Sequence, residues 1–177
     1  MLSLIGVAKL IFGAIVAVVG ITVAARVATR LGGFSSMEEG IRSGNAANGL
    51  VLAASMVAMG ILVQHAVRGT FGALDLLIHA PGEWFLVGWV FVYATGHVAA
   101  ALAVGSAIIA LGVRTFNRLT PEVDEVTEIR EGNVASALVL AAVLVVIALL
   151  AQQGVETMLD GLLPLPTLGR DTLIAPS

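Results

Sequence analysis

Residues 26–64 of this chain recur at 114–152 without a gap. Ile41-Arg42-Ser43-Gly44-Asn45-Ala46-Ala47 returns as Ile129-Arg130-Glu131-Gly132-Asn133-Val134-Ala135, each residue 88 positions on. Leu50-Val51-Leu52-Ala53-Ala54 returns unchanged as Leu138-Val139-Leu140-Ala141-Ala142. Whatever local structure one copy adopts, the other is expected to adopt too. Both copies are mostly apolar and enclose a polar turn, so each reads as a pair of membrane helices.

Composition carries the same reading. The chain has 177 residues, of which 58% are hydrophobic and 12% charged. The apolar residues gather in four runs, at about 2–25, 46–64, 85–113 and 134–152. Each is comparable to the roughly 20 residues that cross a hydrocarbon core as helix. A water-soluble fold of this size could not hide so much apolar surface. The first run resembles a secretory signal in place only: no positive side chain precedes Lys9, and the apolar stretch is too long. Its end, Arg26, Arg30 and Leu31, matches Arg114, Arg118 and Leu119 at the end of the third run, so it is expected to be a structural span.

Several function classes fall away. With no cysteine there is no disulfide, thiolate metal site or cysteine nucleophile. A net charge of −3 without a basic cluster argues against nucleic acid as a partner. His65, His79 and His97 lack paired-ligand spacing, so no metal site is expected from the chain order. No phosphate-cradling glycine loop, nucleophile elbow or pair of catalytic carboxylates is present, so neither an enzyme nor a cofactor is expected.

The arginines orient the spans. Arg26, Arg30 and Arg42 flank the turn of the first copy, and Arg114, Arg118 and Arg130 flank that of the second. The opposite side holds Arg68 and Arg170, with Lys9 inside an apolar run. Positive residues collect on the cytoplasmic side, which predicts cytoplasmic turns and outward-facing termini. Each copy contains two spans, so the copies run parallel rather than inverted. The chain divides as repeat 1 over 1–66, an outer connection over 67–83, repeat 2 over 84–153 and an outward-facing tail over 154–177.

The turns carry recognisable capping chemistry. Ser36 with Glu39 forms a capping-box pattern, and Thr120-Pro121-Glu122 is suited to starting a short helix. Val123, Val126 and Ile129 recur at helical spacing, which predicts a short amphipathic helix at the inner interface with Asp124, Glu125 and Glu128 in water. Gly44 and Gly132 would end these helices in the left-handed conformation. Asn45 and Asn133 would then cap the following spans. This Gly-Asn pair is read as a structural joint between helices, the alternative being a binding determinant at the cytoplasmic mouth. Small residues at spacing four, such as Gly13 and Ala17 or Ala137 and Ala141, predict close helix packing.

Extending the offset backwards pairs Lys9 of the first span with His97 of the third. Each precedes a cytoplasmic-end arginine by roughly 25 Å of helix, in the outer part of the bilayer. Gln64 and Gln152 are repeat-equivalent and end their spans on the same side, and Trp89, Tyr93 and His97 share one stripe at spacing four. Ionisable residues within a span usually face the bundle interior or a partner. Lys9, His97, Gln64, Gln152, Tyr93 and Glu156 are therefore the candidate intramembrane polar site. The simpler alternative is that Lys9 snorkels to the outer interface while His97 makes one interhelical hydrogen bond.

The segment Thr120-Pro121 followed by Glu128-Ile129-Arg130-Glu131-Gly132-Asn133-Val134-Ala135-Ser136-Ala137, paired with its earlier copy, resembles the bacterial inner-membrane family numbered 350 among domains of unknown function, also called uncharacterised protein family 0719. The first copy departs from the pattern, with Gly32-Gly33 for Thr-Pro and Asn48-Gly49 for Ser-Ala. The resemblance covers about residues 1–153 and implies a four-span protein of the bacterial inner membrane, with no activity or catalytic residue to transfer.

The expected fold is all-α: a four-transmembrane-helix bundle of two parallel two-helix repeats, with short interfacial helices in the cytoplasmic turns. The function these features favour is a non-enzymatic membrane subunit, partnered by the lipid bilayer and by a further copy of itself or another membrane protein. The alternative is a channel or transporter for a small cation or proton.

Overall fold

A computed structural model describes residues 2–79, 84–119 and 124–162. Among them every regular element is an α-helix: α1 (Leu2–Gly32), α2 (Met37–Ser43), α3 (Ala46–His79), α4 (Trp84–Leu119), α5 (Glu125–Arg130) and α6 (Val134–Leu162). Four of these, α1, α3, α4 and α6, are long and apolar enough to cross a membrane. The all-helical, four-span architecture expected from the apolar runs is present. Element boundaries keep the sequence offset, since α3 begins at Ala46 and α6 at Val134, its equivalent.

The long helices exceed the apolar runs. α3 has 34 residues and α4 has 36, hence about 50 Å each at helical rise, against a hydrocarbon core of about 30 Å. α3 continues through Asp75 to His79, so residues 67–79 extend a span instead of lying as a separate outer connection. Likewise α6 continues through Leu162, so the expected boundary at 153 falls inside a helix and Glu156 belongs to that helix. No proline interrupts either stretch, and once nucleated each added residue contributes a further backbone hydrogen bond. The Thr120-Pro121-Glu122 helix start and the tail beyond Leu162 lie outside the described residues.

α3 and α4 pack on each other and on both α1 and α6, which form the flanks. The interior is apolar, with Val51, Met59, Leu62, Ile109, Leu140 and Leu144 at most 2% exposed. Small residues permit this closeness at two points. A Cβ at Gly105 would lie 2.9 Å from Met59 Sδ, and one at Gly112 would lie 2.9 Å from Leu144 Cδ2. Where lipid replaces water, such tight packing is a principal source of helix association.

The two joints follow the expected chemistry. The Ser36 hydroxyl accepts from the Glu39 amide (3.2 Å) and starts α2. Gly44 and Gly132 have φ of 64° and 99°, the left-handed region that glycine enters without penalty. The Gly44 amide donates to Ile41 O (3.2 Å) and the Asn45 amide to Gly40 O (3.0 Å); Gly132 and Asn133 repeat this with Ile129 (3.1 Å) and Glu128 (2.9 Å). Both are Schellman endings. Asn45 Oδ1 then accepts from the Asn48 amide (2.9 Å), and Asn133 Oδ1 from the amides of Ala135 and Ser136 (3.0 and 3.3 Å).

Candidate polar cluster at the end opposite the joints

One group of polar side chains gathers at the end of the bundle remote from α2 and α5. His65 on α3 faces two carboxylates of α6: Nδ1 lies 3.1 Å from Glu156 Oε1, and Nε2 lies 2.9 Å from Asp160 Oδ1. Glu156 and Asp160 are one helical turn apart, which puts both on the face that meets α3. His97 on α4 is fully buried. Its Nε2 lies 3.4 Å from the Tyr93 hydroxyl, and its ring stacks on that of Tyr93 at 4.4 Å. Tyr93 in turn stacks on Trp89 at 5.2 Å, so the stripe expected at spacing four is a continuous aromatic stack. Gly69 of α3 leaves room for it: a Cβ there would sit 3.1 Å from the Tyr93 hydroxyl.

These contacts bring one donor atom each from His65, His97 and Asp160 within 4.8 Å of one another. The three come from three different helices, a grouping that spacing along the chain did not anticipate. One feature of it is chemically unsettled. His97 Nδ1 is buried and has no hydrogen-bond partner, although buried polar atoms are nearly always satisfied.

The other expected members of the polar site lie elsewhere. Lys9 pairs with Asp75 of α3, Nζ to Oδ1 at 2.6 Å, with its ammonium 5.7 Å from the centre of the Phe71 ring. It engages the extended end of α3 and not His97, because equivalent repeat positions stand on different helices, α1 and α4. Gln64 lines a groove between α1 and α3 of about 570 Å³, together with Gly13, Ala17, Gly20 and Gly60. Gln152 is half-buried on α6. Neither glutamine makes a side-chain hydrogen bond among the described residues. Of the six expected residues, Tyr93, His97 and Glu156 belong to the cluster; His65 and Asp160 complete it.

Residues 89–168 match the family model described as Domain of Unknown Function (DUF350). Over those residues the chain is similar to that family. That region contains α5, the Gly132-Asn133 joint, and the His97, Glu156 and Asp160 members of the cluster, while His65 comes from the preceding half. No curated protein and no solved structure matched the chain. The DUF350 description assigns no activity, so the reading of the cluster rests on its geometry.

At the opposite end the joints are asymmetric. Asn45 Nδ2 donates to Ile129 O (3.2 Å) and Arg130 O (2.9 Å), the last carbonyls of α5, so a residue of the first copy closes a helix of the second. Asn133 donates instead to Glu128 Oε2 (2.9 Å) of its own copy. Asp124 caps α5, and hydrogen bonds from the Thr127 hydroxyl and amide hold its carboxyl below the usual carboxylate range. Glu125, expected in water, is instead buried with Oε2 unpartnered. Burial pushes its pKa up.

Proposed function

We propose that this multi-pass membrane protein is a non-enzymatic subunit of a larger assembly in the bacterial inner membrane, formed with further copies of itself or with another membrane protein. The observation that carries this reading is the apolar interior between the polar cluster and the joints. Met59, Leu62, Ile109, Leu140 and Leu144 fill it. Ser55, buried there too, returns its hydroxyl to a carbonyl of its own helix, Val51 O (2.8 Å). A cation or proton crossing one copy would meet no chain of polar groups among the described residues, and bare apolar surroundings oppose a charge by several kcal/mol, roughly. The α1/α3 groove, floored by Gly13, Ala17, Gly20 and Gly60, supports assembly as well, since such small residues let a further helix approach closely.

The arginine distribution orients the subunit with its joints cytoplasmic and both termini outward. In that orientation α2 and α5 lie at the inner interface, and the two halves are a tandem duplication in parallel. A reporter fused after Ser177 should then be active only outside the cytoplasm. Extraction of the full chain into native lipid particles should yield a mass well above one chain. A strictly monomeric, partnerless protein would refute the reading.

The polar cluster itself favours a second reading, a channel or transporter for a small cation or proton whose path is completed by another copy. Ion or proton flux in reconstituted vesicles, lost in His97→Ala, would replace the first reading with this one.

A further inference from the structure

We propose that His65, His97 and Asp160 form a binding site for a divalent first-row transition-metal ion, with Glu156 holding His65 in place. A neutral imidazole has one N–H, yet both nitrogens of His65 stand within hydrogen-bond distance of a carboxylate oxygen. Without a metal, satisfying both contacts takes a second proton, on the ring or on a carboxyl. With a metal, the two nitrogens take different roles. Nδ1–H donates to Glu156, and Nε2, after losing its proton to solvent, donates its lone pair to the ion beside Asp160. A carboxylate that receives the second N–H of a ligating histidine is a recurrent orienting device at metal sites.

The dimensions suit this exchange. Around a tetrahedral ion with ligand distances near 2.0–2.2 Å, neighbouring ligand atoms stand roughly 3.3 Å apart. The His65 Nε2 to Asp160 Oδ1 separation is 2.9 Å, and all three donor atoms lie within 4.8 Å of one another. Side-chain adjustments of under about 1.5 Å therefore close the site. His97 supplies the second observation. It is 0% exposed with a nitrogen that no protein atom satisfies, and its ring orientation is fixed by the stack on Tyr93. A buried imidazole held rigid and left short of a partner is a preformed ligand.

Access and ligand type narrow the occupant. The side chains of Glu156 and Asp160 are 43% and 60% exposed, which leaves an open approach on the α6 side. His65 lies about 29 Å along α3 from Ala46, at the far boundary of a hydrocarbon core of about 30 Å. Two imidazoles and one carboxylate suit zinc, iron, nickel or copper; calcium and magnesium prefer all-oxygen sites. Three protein ligands leave a coordination position open for water or an exogenous group.

The site does not depend on whether copies assemble, and metal binding is measured separately from oligomeric state. The test uses the full chain purified in mild detergent, stripped with chelator and titrated with Zn²⁺ by calorimetry, with Co²⁺ absorption reporting the ligand field. One Zn²⁺ per chain is expected, with Co²⁺ bands of a four- or five-coordinate nitrogen-containing site. His65→Ala and His97→Ala should each abolish stoichiometric binding. Glu156→Gln should weaken it about 10- to 100-fold, and Glu38→Gln, at the other end of the bundle, should leave it unchanged. Asp160→Asn alters an exposed side chain that carries no core packing, and it should weaken binding at least about tenfold. Absence of stoichiometric binding by the unmutated chain would overturn the proposal, as would binding that survives Asp160→Asn and both histidine substitutions. A protein that binds no metal would leave His65 as a structural link between α3 and α6.

Discussion

Asn45 does two jobs with one side chain, and removing it separates a local cap from a bond between the halves of the molecule. Its Oδ1 caps α3 through the Asn48 amide, and its Nδ2 closes α5 through Ile129 O and Arg130 O. Losing an N-cap costs about 1 kcal/mol. Ile129 O retains the Gly132 amide as a donor, so the second loss falls mainly on Arg130 O, at about 1 kcal/mol for one hydrogen bond. Asn45→Ala should therefore destabilise by about 2 kcal/mol. Asn133→Ala removes a cap and a contact within its own copy, and should cost about 1 kcal/mol. Asn45→Asp is the discriminating variant. Aspartate caps helices as well as asparagine does, but it has no N–H and would set a carboxylate against two carbonyl oxygens. The measurement is reversible unfolding in mixed detergent and denaturing-surfactant micelles, followed by circular dichroism. Asn45→Asp should be at least as destabilised as Asn45→Ala; stability equal to the unmutated chain would refute the bridging role.

Three further perturbations follow from packing and burial. Gly112→Ala places a Cβ 2.9 Å from Leu144 Cδ2 and 3.5 Å from Ile147 Cδ1, so the α4/α6 contact must open, at about 1–3 kcal/mol. Gly154→Ala, which meets nothing within 4 Å, should be neutral or slightly stabilising in the same unfolding assay. Glu125→Met installs the residue found at the equivalent position of the first copy, Met37. It removes a buried carboxylate oxygen without a partner and should stabilise by about 1 kcal/mol at neutral pH. The pKa of Glu125 is raised on folding. The folded chain thus holds that proton more tightly, and stability falls as pH rises from the ordinary carboxylate value through the raised one. That fall should be smaller in Glu125→Met, as read from unfolding midpoints across the acidic range; an unchanged slope would refute it.

Much of the fold was legible because its signals are local. Four apolar runs became four long helices, and the Gly-Asn joints, the Ser36 cap and the Trp89-Tyr93-His97 stack all depend on residues a few positions apart. The repeat carried these local readings from one copy to the other. It could not carry spatial neighbours, because the flanking helices α1 and α6 do not exchange roles with the central pair. Lys9 therefore corresponds to His97 in the repeat but meets Asp75. The His65–Asp160 contact joins residues 95 positions apart, and no periodicity links a histidine on one helix to carboxylates on another. Counting depth would have helped. His65 and His97 both stand roughly 30 Å from the joint end of their helices, and Glu156 and Asp160 share one face of α6. The apolar run that marks the last span stops at 152, before either carboxylate.

The central claim is that this chain works as part of an assembly and not as a conduit by itself. Its most direct test is the mass of the full chain extracted into native lipid particles, with identification of whatever accompanies it. A discrete oligomer or a stoichiometric membrane partner is expected, with no ion flux from isolated single copies. A partnerless monomer that conducts cations or protons in reconstituted vesicles would contradict it.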